Sequence, residues 1–118
     1  MSNSLLALSF DTANAAKIAG FWAEVLDRPI VDGATAQFAA IGVTDAETTG
    51  PRLMFHQVPE GKVVKNRLHL DVMTDDLDSE TERLLRLGAR VLNRASTTGL
   101  GWTTLADPDG NEFDLIAR

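Results

Sequence analysis

Residues 68–88 read LHLDVMTDDLDSETERLLRLG and contain, in order, a strand pattern, a helix cap and a helix pattern. Apolar residues alternate with polar ones over Leu68–Val72, which predicts a half-buried strand. Asp75 or Asp76 is suitably placed to cap the helix that follows. Gly88 stands where a left-handed residue ends such a helix. The stretch therefore predicts a strand, a tight connection and an amphipathic helix.

The same order occurs earlier in the chain. Alternation over Leu5–Asp11 predicts a strand, and Thr12 or Asn14 can cap the next helix. The apolar stripe of that helix has the spacing i, i+3, i+4 and i+7, at Ile18, Phe21, Trp22 and Val25. Asn14 and Asp76, at the two helix starts, are 62 positions apart, as are Leu26 and Gly88 at the expected helix ends. This constant spacing indicates a tandem repeat.

Three short strands are expected after each helix, at Ile30–Val31, Gln37–Ile41, Arg52–Val58, Arg90–Leu92, Gly101–Ala106 and Glu112–Ile116. Between them we expect loops at residues 42–51 and 97–99, and a type I turn at Asp107-Pro108-Asp109-Gly110. The prediction is a single α+β domain over residues 1–118, built from tandem βαβββ modules that form a cupped mixed sheet. Module one spans about residues 1–60 and module two about residues 65–118.

Composition excludes several classes of function. The chain has 118 residues, is 44% hydrophobic and carries a net charge of −6, which argues against nucleic-acid partners. It has no cysteine, which excludes disulfides, thiolate chemistry and Cys-ligated zinc. Neither a bilayer span of ~20 apolar residues nor a signal peptide is evident, so we expect a cytoplasmic protein without membrane association. Gly99-Leu100-Gly101 lacks the features of a phosphate loop, and no nucleotide cofactor is expected.

Polar side chains that share one face of the predicted strands are the candidates for chemistry. Residues two apart on a strand point the same way, so Ser9 and Asp11 form one pair, His69 and Asp71 a second, and Glu112 and Asp114 a third. If the two modules face each other, the last four residues surround one concavity. The alternative is that these residues face solvent on an open sheet.

Several segments in order resemble the vicinal oxygen chelate superfamily of glyoxalases, bleomycin-resistance proteins and dioxygenases. They are Lys17–Trp22 with Val25-Leu26, Val58–Glu60, Lys65–Asp71, Leu87–Ala89 and Asp107–Phe113. The resemblance covers nearly the whole chain and implies the glyoxalase fold. It implies a small-molecule ligand and a homodimer, but no particular reaction, since this fold hosts lyases, isomerases, dioxygenases and drug-binding proteins.

The resemblance also implies a metal site that this chain matches only in part. His69 matches the ligand of the fifth family strand, and Asp114 stands at the ligand position of the eighth, where a Glu is usual. Ala7 stands where the first strand would supply a ligand. In the fourth strand the candidate is His56, or Gln57 if the register differs by one. With His56 pointing inward, His56, His69 and Asp114 would suit one divalent ion such as Fe, Mn, Zn or Ni.

Two interpretations therefore stay open. In the first, the protein is a divalent-metal-dependent lyase, isomerase or dioxygenase acting on a small oxygenated metabolite, and Glu112 or Asp71 transfers protons. In the second, it binds a small molecule or antibiotic without metal or catalysis, and His69 and Asp71 supply hydrogen bonds. In either case Trp102 can stack on a flat ligand or belong to the core, and Ser9 and Asp11 are candidate substrate contacts.

Overall fold

The structure, a computed structural model, describes residues 2–42, 50–97 and 100–118. The chain folds into two compact units, Met1–Gly61 and Lys62–Arg118. The first contains β1 (Ala7–Thr12), α1 (Ala15–Leu26), β2 (Phe38–Ile41) and β3 (Arg52–Gln57). The second contains β4 (Asp71–Thr74), α2 (Leu77–Leu87), β5 (Arg90–Thr97), β6 (Leu100–Ala106) and β7 (Glu112–Ala117). The predicted mixed α+β fold is confirmed.

In the first unit, α1 covers one face of a three-stranded sheet. The strand order is β1-β3-β2, with β1 parallel and β2 antiparallel to β3. The core forms because the apolar stripe of the helix meets the alternate residues of the strands: Phe10 contacts the ring of Trp22 at 5.7 Å and that of Phe55 at 5.0 Å. The predicted stripe is confirmed, since Ile18, Phe21, Trp22 and Val25 are all buried.

The second unit repeats this plan with four strands. The order is β4-β7-β6-β5, in which β4 is parallel to β7 and the other pairs are antiparallel. Leu84 of α2, Leu105, Phe113 and Leu115 are fully buried. The hydroxyls of Thr81 and Thr103 also meet under the helix, at 3.2 Å. Because these residues take alternate strand positions, the residues between them lie on the face opposite α2.

The repeat is visible in the helix starts. Asn14 and Asp76 are the N-caps of α1 and α2, and each side chain accepts a backbone N–H three residues further along. The backbone N–H of each cap residue also donates to a threonine hydroxyl two residues earlier, that of Thr12 or Thr74. At the helix ends, Gly88 is the left-handed C-cap of α2, as predicted, but its equivalent in α1 is Asp27 and not Leu26.

Several predicted strands differ from the structure. The strand expected from Leu5 begins at Ala7, and the one expected from Leu68 begins at Asp71, so His69 precedes β4. Ile30 forms only an isolated bridge with Ile41, and Val31, nearly half exposed, adds one hydrogen bond to Ala40. By contrast, β5 is longer than predicted, because pairing with β6 continues beyond a register shift between Val91 and Asn93. The residues after this shift are mostly polar, so the alternation of apolar and polar residues does not predict that the strand continues.

The predicted turn at Asp107–Gly110 is confirmed by a hydrogen bond from the Gly110 N–H to the Asp107 carbonyl, at 2.8 Å. Most of the predicted loop at 42–51, namely residues 43–49, and residues 98 and 99 of the other lie outside the described residues. No helix among the described residues is long and apolar enough to cross a membrane.

Candidate functional site

A histidine and two aspartates meet on the second unit and form what we call the His–Asp–Asp cluster (His69, Asp71 and Asp114). The Nδ1 atom of His69 lies 2.8 Å from Oδ1 of Asp71 and 3.7 Å from Oδ2 of Asp114. One potential ligand atom from each residue lies within 4.8 Å of the others. An ionised carboxylate only accepts hydrogen bonds, so the imidazole N–H donates to Asp71. The cluster therefore offers one nitrogen and two carboxylates at the surface of one sheet.

The strand register explains why these groups meet. Asp71 is the first residue of β4, and its direct partner in parallel β7 is Asp114. His69 lies just before β4, where the backbone is still held to β7 by the hydrogen bond from the Asp114 N–H to the Leu70 carbonyl, at 3.0 Å. His69 and Asp71 are two residues apart, so both side chains reach the face opposite α2.

The cluster belongs to a polar row that crosses the whole second sheet. The row has one residue on each strand, and each residue pairs directly with the next: Asp71 on β4, Asp114 on β7, Thr104 on β6 and Asn93 on β5. A second, apolar row lies two residues further along each strand, about 7 Å from the polar row. It consists of Met73, Ile116, Trp102 and Ala95. The face opposite α2 is thus polar along one line and apolar along the next.

Thr104 is a site residue that was not predicted from the sequence. Its Oγ1 hydroxyl donates to Oδ1 of Asp114 at 2.5 Å, a length typical of a hydrogen bond to a charged carboxylate. The signal was present in the sequence: the turn at Asp107–Gly110 joins β6 to β7 and fixes which residues face each other. Ala106 pairs with Glu112, and two steps further from the turn Thr104 pairs with Asp114.

Glu112 is occupied by structural contacts. Its carboxylate accepts the backbone N–H of Asn66 at 3.1 Å and pairs with the Lys62 ammonium at 3.2 Å. The amide of Asn66 also donates to the Glu112 carbonyl. The Asn66 N–H, then the backbone N–H of Glu112 itself and Lys62, lower the pKa of Glu112 below the ordinary value of 4.5 despite partial burial. A carboxylate held ionised in this way suits the fastening of residues 62–66 to β7 better than proton transfer.

Trp102 lies on the face opposite α2. Its direct partners are Ile116 and Ala95 in the apolar row, whereas the adjacent Thr103 is buried under the helix. Trp102 is half-buried.

The remaining candidates lie in the first unit, on the sheet face opposite α1. Ser9 and Asp11 are exposed and alternate with Phe10, which packs against the helix. His56 is the direct partner of Asp11 in β3, and its ring contacts Phe38 at 5.2 Å. Gln57 points elsewhere and donates to the Ala13 carbonyl.

The equivalent positions of the first unit lack the donors of the His–Asp–Asp cluster. With the repeat spacing of 62 residues, Ala7 is equivalent to His69 and Ser9 is equivalent to Asp71. Ser9 pairs with Met54, as Asp71 pairs with Asp114. The internal register therefore places Met54 at the position of Asp114, and His56 in the next row, at the position of Ile116.

Comparison with known families agrees with this fold. The family model of the glyoxalase-like domain matches residues 7–116. The chain belongs to the glyoxalase-like family. The family resemblance seen in the sequence is thereby confirmed. Comparison of this glyoxalase-like sequence with curated proteins finds no match.

Solved structures similar to this glyoxalase-like chain include a glyoxalase/bleomycin resistance protein/dioxygenase family enzyme from Burkholderia phytofirmans PsJN. It has a TM-score of 0.77 and 15% identity, with 98% of both chains covered. Fosfomycin resistance protein FosX from Mesorhizobium loti has a TM-score of 0.75 and 18% identity, covering 100% of this chain and 94% of its own. TioX from Micromonospora sp. ML1 has a TM-score of 0.63 and 15% identity, with 98% of both covered. Identities this low show a common fold.

Members of the glyoxalase-like family often use a divalent metal, and the donors present here fit one. An imidazole nitrogen and two carboxylate oxygens suit borderline ions such as Fe(II), Mn(II) and Zn(II). Oδ1 of Asp114 accepts the Thr104 hydroxyl, and Oδ2 lies on the side of His69, so Oδ2 is the better placed second donor. Asp71 supplies the third donor. His56, which the sequence suggested for this third position, lies in the first unit.

Proposed function

We propose that this glyoxalase-like protein binds a small oxygenated molecule, with a divalent metal held by His69, Asp71 and Asp114, as a metal-dependent lyase, isomerase or dioxygenase. The observation that supports this function is the His–Asp–Asp cluster, whose three potential ligand atoms lie within 4.8 Å of one another. Three protein ligands leave coordination positions for two neighbouring oxygens of a ligand. An ion held by these three residues would supply Lewis-acid chemistry to the oxygens of the ligand.

The chain's own residues have separate tasks in this proposal. His69, through an unprotonated ring nitrogen, Asp71 and Asp114 would hold the ion, and Asp71 contacts His69 in the metal-free protein. Trp102 and Ile116, in the adjacent apolar row, contact the hydrocarbon part of the ligand. We therefore expect a molecule with two adjacent oxygens at one end and a flat apolar group about 7 Å away, the spacing of the two rows. Glu112 keeps the segment before β4 in place.

The names of similar structures are compatible with small-molecule chemistry. FosX is described as a fosfomycin resistance protein, and the Burkholderia protein as an enzyme of the glyoxalase/bleomycin resistance protein/dioxygenase family. These descriptions belong to those proteins. They support the proposal only in that the same fold accommodates small ligands in several relatives.

Metal titration tests the proposal. The protein, purified without a histidine tag and stripped with a chelator, is titrated with Mn(II), Zn(II), Ni(II) and, without oxygen, Fe(II) in a calorimeter. We expect one ion per chain for at least one metal, and about a tenfold or greater loss of affinity in His69→Ala and Asp114→Asn. His56→Ala is the matched control because it removes the only other histidine. Absence of binding by all four metals would exclude the metal-dependent function, and equal losses in both histidine variants would restore the two-histidine ligand set.

The second candidate function is a metal-free binding protein. The observation that favours it concerns the equivalent positions of the first unit, where Ala7 and Met54 replace the donors His69 and Asp114. In that case His69 and Asp71 would donate and accept hydrogen bonds, and the protein would sequester its ligand unchanged. Ligand binding that persists in a chelator, with no turnover, supports this function. Turnover that disappears in His69→Ala while the fold survives contradicts it.

A further inference from the structure

Asp114 has two carboxylate oxygens with different surroundings. Oδ1 accepts the hydroxyl of Thr104 at 2.5 Å, and Oδ2 lies on the other side, 3.7 Å from Nδ1 of His69. The side chain of Asp114 is 23% exposed, whereas those of His69 and Asp71 are 43% and 53% exposed. Asp114 is thus the most enclosed member of the cluster, and it also bonds to Thr104, outside the cluster.

The contact with Thr104 restricts the carboxylate. The terminal torsion of an aspartate is broad, so a carboxylate without fixed partners rotates about the Cβ–Cγ bond. A threonine hydroxyl has one proton to donate, and the cross-strand pairing sets Thr104 directly beside Asp114. Its short, charge-assisted bond to Oδ1 fixes the carboxylate plane. Oδ2 is thereby held towards His69.

We propose that Thr104 is a positioning residue that holds the carboxylate of Asp114 so that Oδ2, and not Oδ1, is presented beside His69 as the ligand atom. This inference rests on the proposed function in one respect: the ion that Oδ2 would bind. Partners that orient a metal ligand typically change affinity by about 10- to 100-fold when removed. The orientation itself is a property of the metal-free protein and is measurable there.

A purely structural role predicts a different result. Thr104 could serve only as a cross-strand hydrogen bond that stabilises the sheet. The next residue provides the matched control: Thr103 also makes one hydroxyl hydrogen bond, to Thr81, but is buried under α2 on the opposite face. Substitution of either threonine by valine removes a hydroxyl at nearly constant volume, and only Thr104→Val changes the surroundings of Asp114.

The test combines calorimetry of the full chain with crystal structures of the metal-free proteins. We expect Thr104→Val to bind the metal selected in the wild-type titration about 10- to 100-fold more weakly. Thr104→Ser, which retains the hydroxyl, should restore most of that affinity. Thr103→Val should lower the melting temperature but keep the wild-type affinity. In the metal-free Thr104→Val crystal, the Asp114 carboxylate should be rotated so that Oδ2 no longer lies beside His69.

The outcomes separate this inference from the proposed function. If the wild type binds metal and Thr104→Val binds it equally well, Thr104 does not position the ligand. Equal loss of affinity in Thr103→Val would mean that general destabilisation explains the effect. If the wild type binds no metal, the proposed function fails and the metal-free crystals decide: a rotated Asp114 in Thr104→Val supports the positioning role, and an unchanged carboxylate overturns it.

Discussion

Asp71 and Asp114 are direct partners across the parallel pair of β4 and β7. Neighbouring strands lie about 4.8 Å apart, and like charges on directly opposite residues are destabilising. The two aspartates are accompanied by His69, which donates to Asp71, and by Thr104, which donates to Asp114. Without a bound cation, the two opposed charges therefore disfavour the folded state, and the two donors offset part of this repulsion.

Substitution Asp71→Asn should stabilise the metal-free protein and weaken metal binding. The amide oxygen still accepts the His69 N–H, while the charge opposite Asp114 is removed. We expect the free energy of unfolding to rise by about 0.2–1 kcal/mol and metal affinity to fall about tenfold or more. Urea unfolding and calorimetry measure the two effects. Glu82→Gln, which removes one exposed acidic charge from α2, is the control for net charge; an equal gain there would show that the opposed pair has no specific effect.

Acid should selectively weaken the attachment of residues 62–66 to β7. The pKa of Glu112 is lowered in the folded state, first by the Asn66 N–H, then by the backbone N–H of Glu112 itself and by Lys62. A lowered carboxyl pKa stabilises the fold fully above the unfolded value, close to 4.5, and this contribution is lost as the pH falls through the folded value. The stability difference between wild type and Glu112→Gln should be constant near neutral pH and shrink below about pH 4.5. Chemical unfolding at several pH values checks this, and a difference independent of pH would contradict it.

The buried hydroxyl pair of Thr81 and Thr103 gives a prediction for stability alone. Each single valine variant leaves one buried hydroxyl without its partner, at a cost of about 1–3 kcal/mol. In the double variant two methyl groups replace both hydroxyls, and we expect most of that cost to be recovered. A double-mutant cycle from urea unfolding measures this coupling. Additive losses would show that the two hydroxyls do not depend on each other.

Two glycines should respond oppositely to alanine. Gly88 caps α2 with φ of 115° and has Pro108 close to the position of a Cβ atom, so Gly88→Ala should cost about 1 kcal/mol or more. Gly20 lies inside α1, where an added Cβ meets nothing within 4 Å. There alanine should stabilise by about 0.4–1 kcal/mol. Thermal unfolding of both variants tests the pair. Melting temperatures that shift in the same direction would contradict the positions described for Gly88 and Gly20.

Much of the fold was predictable because its determinants are local. The caps Asn14 and Asp76, the left-handed Gly88 and the turn at Asp107–Gly110 each depend on a few neighbouring residues. The isolated bridge at Ile30 was not predictable in this way. Whether two residues after Pro29 form a strand or a single bridge depends on how far the partner Ile41 and its neighbours continue the pairing.

For the candidate site, the sequence predicted only which side chains share a strand face. The alternation of side chains puts His69 and Asp71 on the same strand face, and likewise Glu112 and Asp114. It does not show that Glu112 and Asp114 have different roles. That Glu112 is taken by Lys62 and Asn66, 50 and 46 residues earlier in the chain, depends on a long-range contact. The pairing of Asp71 with Asp114 is likewise non-local, since parallel strands have no turn that fixes their register.

The shared register of the two units also has a practical use. Ala7, Ser9, Met54 and Ala40 stand in the first unit where His69, Asp71, Asp114 and Thr104 stand in the second. The first sheet therefore has the same pairing among its three strands as β4, β7 and β6 of the second but lacks the cluster, and it belongs to the same molecule. Installing the four polar residues there by substitution would transplant the cluster, so that one chain could report whether this arrangement is sufficient for metal binding outside its original setting.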